Sequence, residues 1–213
     1  MTLKVIHLQN QVLVHGQEAW AEFLALLLKT GQTTQYNSKE DDGYYEKGLS
    51  KEYAILTTGQ YSGTTNITIN SKTHALSNNC VIDDRTGLMW ARYVPTADIG
   101  PDNDGKLFYL DAVNSEDVWE FIAQANAGSL GGYDDWKIPN VEELESLLDY
   151  ATNTPAIDTT VFPSTPADNH WTSTTDDAAT TQAEAVRFSS VRTTSYAKAT
   201  SKFYCRLVRG GPN

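Results

Sequence analysis

Four short blocks recur in fixed order along the second half of this chain, each centred on an aromatic residue or on the second cysteine. They are Thr86-Gly87-Leu88-Met89-Trp90, Gly132-Tyr133-Asp134-Asp135-Trp136-Lys137-Ile138-Pro139-Asn140, His170-Trp171-Thr172-Ser173-Thr174 and Cys205-Arg206-Leu207-Val208-Arg209. Trp90, Trp136 and Trp171 sit in apolar or strand-like surroundings, which predicts that they pack a core, with each indole N–H bonded to a polar loop group. The blocks therefore read as a frame. None carries an obvious catalytic group, so function is expected on the unpatterned segments between them.

At 213 residues and 40% hydrophobic, the chain is long enough to bury a substantial core and fits one domain of moderate size or one domain with a smaller appendage. Its formal charge of -11 is unevenly placed, because residues 79–160 hold sixteen acids against four bases. Nonspecific binding to nucleic acid needs clustered Lys and Arg against phosphates; no such cluster occurs, and no nucleic-acid partner is expected. The acidic centre reads as a solvated face. The longest apolar run, Ala19 to Leu28, reaches about half the length of a bilayer span, so no membrane span is expected. The first residues also lack the basic start, apolar run and small-residue cleavage site of a secretory signal.

Trp20, Phe23, Leu24, Leu27 and Leu28 share one helical stripe, which predicts a helix over Glu18 to Lys29 that ends near Gly31. Its apolar face calls for a partner, either the main domain or a second copy of the chain. Residues 32–48 read as a polar lead-in with a turn at Asp41-Asp42-Gly43. Tyr53 to Thr57 and Thr65 to Ile69 have strand character and predict a strand pair across Gly59 and Gly63. Cys80 to Ile82 and Leu88 to Trp90 predict two strands joined by a turn over Asp83 to Gly87.

Ser115 to Ala127 predicts a helix capped by Asn114 or Ser115, ended by Gly128, with Trp119, Ile122 and Ala123 as its buried stripe. Asn140 and Glu143 have capping-box spacing at the head of a second helix, whose apolar face is Val141, Leu144, Leu147 and Leu148. Residues 151–183 lack periodicity and predict long loops. Strand pattern returns in Ala185 to Phe188 and Phe203 to Val208. Two cysteines, Cys80 and Cys205, bracket this unit; their spacing is compatible with a disulfide and with two buried thiols alike.

The order Asp83-x-x-Thr86-Gly87-Leu88-Met89-Trp90, helix, Gly132-Tyr133-x-Asp135-Trp136-x-x-Pro139-Asn140-x-x-Glu143-Leu144, Phe162-Pro163, Trp171-x-Ser173-Thr174, Arg206-x-Val208-Arg209 resembles the C-terminal domain family of a bacterial collagen-like adhesin. That family occurs in bacterial surface proteins and phage-encoded proteins. The resemblance covers about residues 79–211 and implies an α+β, C-type lectin-like domain: a small twisted antiparallel sheet, two flanking helices and long loops. It also implies that the first and last strands pair, which places Cys80 and Cys205 on neighbouring strands. The expected organisation is an N-terminal amphipathic helical segment over 1–31, a polar lead-in with short strands over 32–78, and the lectin-like domain over 79–213.

Metal chemistry has one candidate. From Gly100 onward, Asp102, Asp104, Gly105 and Asp111 fall at positions 3, 5, 6 and 12 of an EF-hand-like calcium loop, with Asp98 replacing the missing first ligand. A plain turn built by Asn103, Asp104 and Gly105 is the competing reading. His7, His15, His74 and His170 are too scattered for a zinc site. Asp134 and Asp135 are adjacent and would face opposite sides of a strand, which argues for turn roles over a glycosidase pair. Arg206 and Arg209 are expected in internal ion pairs with the acidic centre.

These readings lead to the expectation of a noncatalytic binding module, extracellular on a cell surface or virion, that contacts a host receptor or glycan. The contacts are expected from the loops at 93–110 and 151–202, through Tyr93, Asp168, Asn169, His170, Thr175, Asp176, Arg192 and Tyr196. The alternative is a structural or assembly protein of a phage particle or surface structure, a homo-oligomer joined through the N-terminal helix. An oxidoreductase similar to formylglycine-generating enzymes, which share the broad fold, is the less favoured rival. Its chemistry needs a copper-binding cysteine pair in a loop, whereas Cys80 and Cys205 fall in strands.

Overall fold

The computed structural model describes residues 32, 50–111, 116–152 and 154–210. The predicted helix at Glu18 to Lys29, the Asp41-Asp42-Gly43 turn, and Asn114 and Ser115 lie outside the described residues. The chain divides into two units between Lys51 and Glu52, and the second unit holds every strand and helix among the described residues. In chain order its strands are β1 (Tyr53–Leu56), β2 (Thr64–Ile69), β3 (Lys72–Ser77), β4 (Cys80–Asp83), β5 (Leu88–Ala91), β6 (Leu107–Phe108), β7 (Asn169–Thr175), β8 (Gln182–Arg187), β9 (Arg192–Ala197), β10 (Lys202–Phe203) and β11 (Val208–Gly210). The helices are α1 (Val118–Ala127) and α2 (Val141–Glu145), both between β6 and β7. Small antiparallel sheets and two helices make this a mixed α+β fold.

The turn between β4 and β5 forms as its residues predict. Gly87 adopts φ 69° and donates its N–H to Asp83 O at 2.9 Å. The fully buried Asp83 carboxylate accepts from Arg85 N, Nε and Nη2 at 3.1, 2.8 and 2.7 Å, so the turn carries its own counter-ion. The central sheet runs β1-β4-β5-β11. Its strands alternate between two cores: Cys80, Met89 and Ala91 enter one, joined by Leu207 just before β11, and Val81, Leu88, Trp90 and Val208 the other. A sheet buried on both faces explains why these strands read as continuous apolar runs.

Several sequence expectations are corrected. β1 pairs with β4, Tyr53 opposite Asp83, and not with β2. β2 instead pairs with β3 across Asn70 and Ser71, whose positive φ values of 48° and 62° make a tight two-residue turn. The first and last strands of the family-like unit do not pair either, because β5 lies between β4 and β11. Cys80 and Cys205 are both free and buried.

The stretch 151–202 is only partly loop, since β7, β8 and β9 form a three-stranded meander within it. β7 escaped the periodicity reading because it is buried at successive positions while being rich in polar residues. Thr172, for example, is buried and donates its hydroxyl to Glu184 O at 2.9 Å. Phe203 to Val208 likewise splits into β10, paired with β6, and β11, paired with β5.

α1 begins later than its sequence implies. Asp117 is the cap, accepting from Trp119 N at 3.1 Å and Glu120 N at 2.9 Å. The buried stripe is therefore Val118, Phe121 and Ala125; Trp119 is 42% exposed. α2 carries the full capping box, Glu143 N to Asn140 Oδ1 at 2.7 Å and Asn140 N to Glu143 Oε2 at 2.8 Å. The helix is short, yet Leu144, Leu147 and Leu148 are all buried as expected. Among the described residues, no helix is long and apolar enough to cross a membrane.

Of the three framing tryptophans, Trp136 donates Nε1–H to Leu130 O and Trp171 to Leu107 O, each at 2.9 Å. Trp90, equally buried, leaves its indole N–H without a partner among the described residues, contrary to expectation.

Candidate functional site

A cleft of about 820 Å³ opens between β3 and residues 91–99. Its floor is apolar, formed by Leu76, Ala91, Phe121, Leu130, Cys205 and Leu207. Its rim is polar: Lys72, Thr73 and His74 on one side, and Tyr93, Thr96, Asp98 and Asn103 on the other. Both walls follow from local chemistry. The Asn70-Ser71 turn returns the chain as β3, and Pro95 together with four positive-φ residues, Asp98, Gly100, Asn103 and Gly105, bends the opposite wall into a compact loop.

Two glycines hold that loop. Gly100 (φ 83°) and Gly105 (φ 82°) both adopt the left-handed conformation. A β-carbon on Gly100 would overlap the Lys106 carbonyl oxygen, and one on Gly105 the Pro95 carbonyl oxygen. Gly100→Ala should therefore cost about 3 kcal/mol in thermal or denaturant unfolding, since neither the backbone nor the conformation can yield cheaply. A cost below about 0.5 kcal/mol would show that the loop is not held by this residue.

The electrostatics of the cleft are mild. Burial holds the His74 imidazole below its ordinary pKa, with Asp98 acting in the opposite direction. Burial pushes the Cys205 thiol up to about 12, against the opposing effect of Arg206. The Cys80 thiol also rises to about 12 through burial. Neither sulfur is a thiolate at neutral pH, which is the form that attacks or ligates.

The structure brings one of the eight expected contact residues to this cleft, namely Tyr93. Its ring is 36% exposed and lies 5.5 Å from the Arg92 guanidinium, which is anchored on Val161 O at 2.9 Å. Asp168 pairs with Lys106 at 3.0 Å. Asn169 and His170 are buried inside β7, so they lie in the meander and not on an open loop. Thr175 accepts from Lys198 Nζ at 2.8 Å, and Asp176 accepts from Ala178 N at 2.9 Å in the following turn. Arg192 is exposed at the start of β9, and Tyr196 packs edge-on against Phe203 with ring centroids 4.7 Å apart.

The four aspartates of the calcium reading are also dispersed in their bonding. Asp98 lines the cleft, and Asp102 pairs with Lys202. Asp104 accepts from Lys106 N at 3.0 Å, as a turn residue does, and the Asp111 N–H donates to Asp117 Oδ2 at 3.0 Å. Among the described residues, no three His, Cys, Asp or Glu side chains converge as a metal-binding group.

Arg209 forms the expected internal ion pair, Nη2 to Asp135 Oδ2 at 3.0 Å, and its guanidinium stacks 3.7 Å from the Tyr133 ring centroid. Arg206 does not. It is fully buried and donates from Nη1 to Ala91 O and Arg92 O at 2.8 and 3.0 Å, and from Nη2 to Thr165 Oγ1 at 2.7 Å. β3, half of the cleft, was missed by sequence reasoning. The available signal was the polar Asn70-Ser71 pair directly after the alternating strand β2.

No curated protein matches this chain. The profile of the Lcl C-terminal domain family matches residues 79–209, which takes in the central sheet from β4 onward, both helices and the meander, and leaves the β2–β3 wall of the cleft outside. With well over half of its length covered and all four aromatic and cysteine blocks inside that match, the chain belongs to the Lcl C-terminal domain family.

Proposed function

We propose that this chain is a noncatalytic binding module on a C-type lectin-like scaffold, displayed at a cell or virion surface, whose cleft takes part of a host receptor or its glycan. The observation that carries this reading is the cleft itself, an apolar floor under a rim of hydroxyl, amide, imidazole and carboxylate groups. That combination suits ligand capture: the floor supplies desolvation and the rim orients. The lectin-like scaffold is supported by the twin cores around a small sheet and by the two helices that flank it. Burial, which raises both cysteine pKa values, disfavours the thiolate chemistry that the oxidoreductase alternative requires.

The test is a glycan and surface-receptor binding screen, run with calcium and then with chelator, on the wild type and on Tyr93→Ala. The variant is expected to lose about tenfold in affinity, ~1.4 kcal/mol, with an unchanged melting temperature. Ligands that bind both proteins equally would rule out the cleft as the site. Binding that disappears with chelator and is lost again in Asp98→Asn or Asp104→Asn would assign calcium to the loop that holds Asp98, Asp102, Asp104 and Asp111.

A further inference from the structure

The two edges of the β2–β3 hairpin are treated differently by the fold. Ile69 pairs with Lys72, Ile67 with His74 and Thr65 with Leu76, and Asn78 N–H continues the series to Gly63 O at 3.1 Å. Even-numbered residues of β3 thus direct their N–H and C=O groups at β2, and Thr73, Ala75 and Ser77 direct theirs the opposite way. On the β2 side, the outer edge is covered: α1 packs on it, and Gln124 Oε1 accepts from Thr68 N at 3.4 Å. On the β3 side, no backbone partner meets Thr73 or Ala75 among the described residues, and this edge opens directly onto the cleft.

We propose that the cleft binds an extended polypeptide strand of a partner protein, which pairs with β3 and carries a basic side chain to Asp98. The inference rests on the reading of the cleft as a binding site and names the chemistry of its occupant. Unpaired backbone donors and acceptors repeating about every 6.8 Å match the period of another strand, and sugar hydroxyls have no such repeat. Side chains of the incoming strand alternate, so every second one enters the cleft above Leu76 and Leu207.

Charge selects further. Asp98 lines the cleft and has no ion-pair partner among the described residues. Lys72, at the far end of the edge, is turned onto Asn103 Oδ1 at 2.8 Å. The chain as a whole carries -11, which steers a basic segment towards it. Thr73 and Ala75 are exposed and small, so their side chains leave room for a neighbouring strand.

The test selects unconstrained peptides from a random library on the full chain and on its Ala75→Pro variant. Proline at position 75 removes an N–H that points away from β2, so the hairpin keeps its ladder, which an unchanged melting temperature would verify. The expected result is a set of alternating, Lys- or Arg-bearing peptides that bind the wild type roughly tenfold tighter than Ala75→Pro. The selected peptides should slow hydrogen exchange at the Thr73 and Ala75 amides and lose binding when alternate peptide nitrogens are N-methylated. Asp98→Asn should weaken them several-fold without moving the melting temperature.

Failure to enrich any peptide on the wild type overturns the proposal. So does enrichment of peptides that bind Ala75→Pro equally and leave the Thr73 and Ala75 exchange rates unchanged. If glycans or receptors still bind in a Tyr93-dependent way while peptides do not, strand pairing falls and the cleft reading stands. If neither binds, both fall.

Discussion

Replacing Arg206 with alanine is expected to cost about 4 kcal/mol in guanidinium chloride unfolding, because the substitution strips donors from two buried acceptors and one part-buried one and empties a full side-chain volume. The side chain is fully buried, its guanidinium 4.8 Å from the centroid of the Phe162 ring, and no carboxylate among the described residues pairs with it. Its charge is distributed over Ala91 O, Arg92 O and Thr165 Oγ1, so one side chain ties β5, the following loop and the segment after Phe162 together. Burial pulls its pKa down to about 9, with Tyr53 and Cys205 acting the other way, because a cation is costly in so dry a site. Arg206→Met fills much of the volume without the charge and should recover part of the loss. Two variants that both stay within about 1 kcal/mol of the wild type would show that the guanidinium holds nothing together.

Acid should weaken the fold through His170. Its imidazole is fully buried in β7, donates from Nδ1 to Asp168 O at 3.1 Å, and leaves Nε2 without a partner among the described residues. Burial first, and the Arg206 charge second, lower its pKa from 6.5 to about 3. The sign follows from the proton count. Above about pH 6.5 the ring is neutral in both states; between about 6.5 and about 3 only the unfolded chain takes up the proton. The stability contributed by neutral His170 is thus fully present above about pH 6.5 and is lost as pH falls, by about 1.4 kcal/mol per pH unit and ~5 kcal/mol in all. His170→Phe, packed between Phe188 and Tyr204, should unfold more easily near pH 7 yet lose stability less steeply down to about pH 4. Equal slopes for the two proteins would remove His170 as the source of acid lability.

Much of the frame could be read locally. The capping box of Asn140 and Glu143 and the Asp83–Gly87 turn depend on residues within a few positions of one another, and the apolar surroundings of the three block tryptophans mark them for burial; all are present. The family match over 79–209 spans the same blocks. What escaped was polar in composition but paired in space. β3 contains Lys72, Thr73 and His74, and β7 contains Asn169, His170 and Thr172; both are strands because a neighbour supplies their hydrogen bonds, not because their own pattern is apolar. The register of α1 shifted for a related reason. Asp117 caps it where its amides needed an acceptor, and that choice turned Trp119 outward and Phe121 inward.

The cleft was half legible. Tyr93 and Asp98 stand out as polar residues in an expected loop, but their opposing wall lies in a hairpin before the family domain, and the floor comes from Phe121, Leu130, Cys205 and Leu207. From the residues alone came the mixed α+β class, the α2 capping box, the Asp83–Gly87 turn and the burial of the block tryptophans, since propensity, capping and apolar pattern act over a few residues. Long-range packing settled which strands pair, that Cys205 falls between β10 and β11 and not in a strand, that no carboxylate among the described residues pairs with the buried Arg206, and that the edge of β3 faces a cleft. Each of those depends on contacts between segments far apart in the chain, whose free energies no local pattern records.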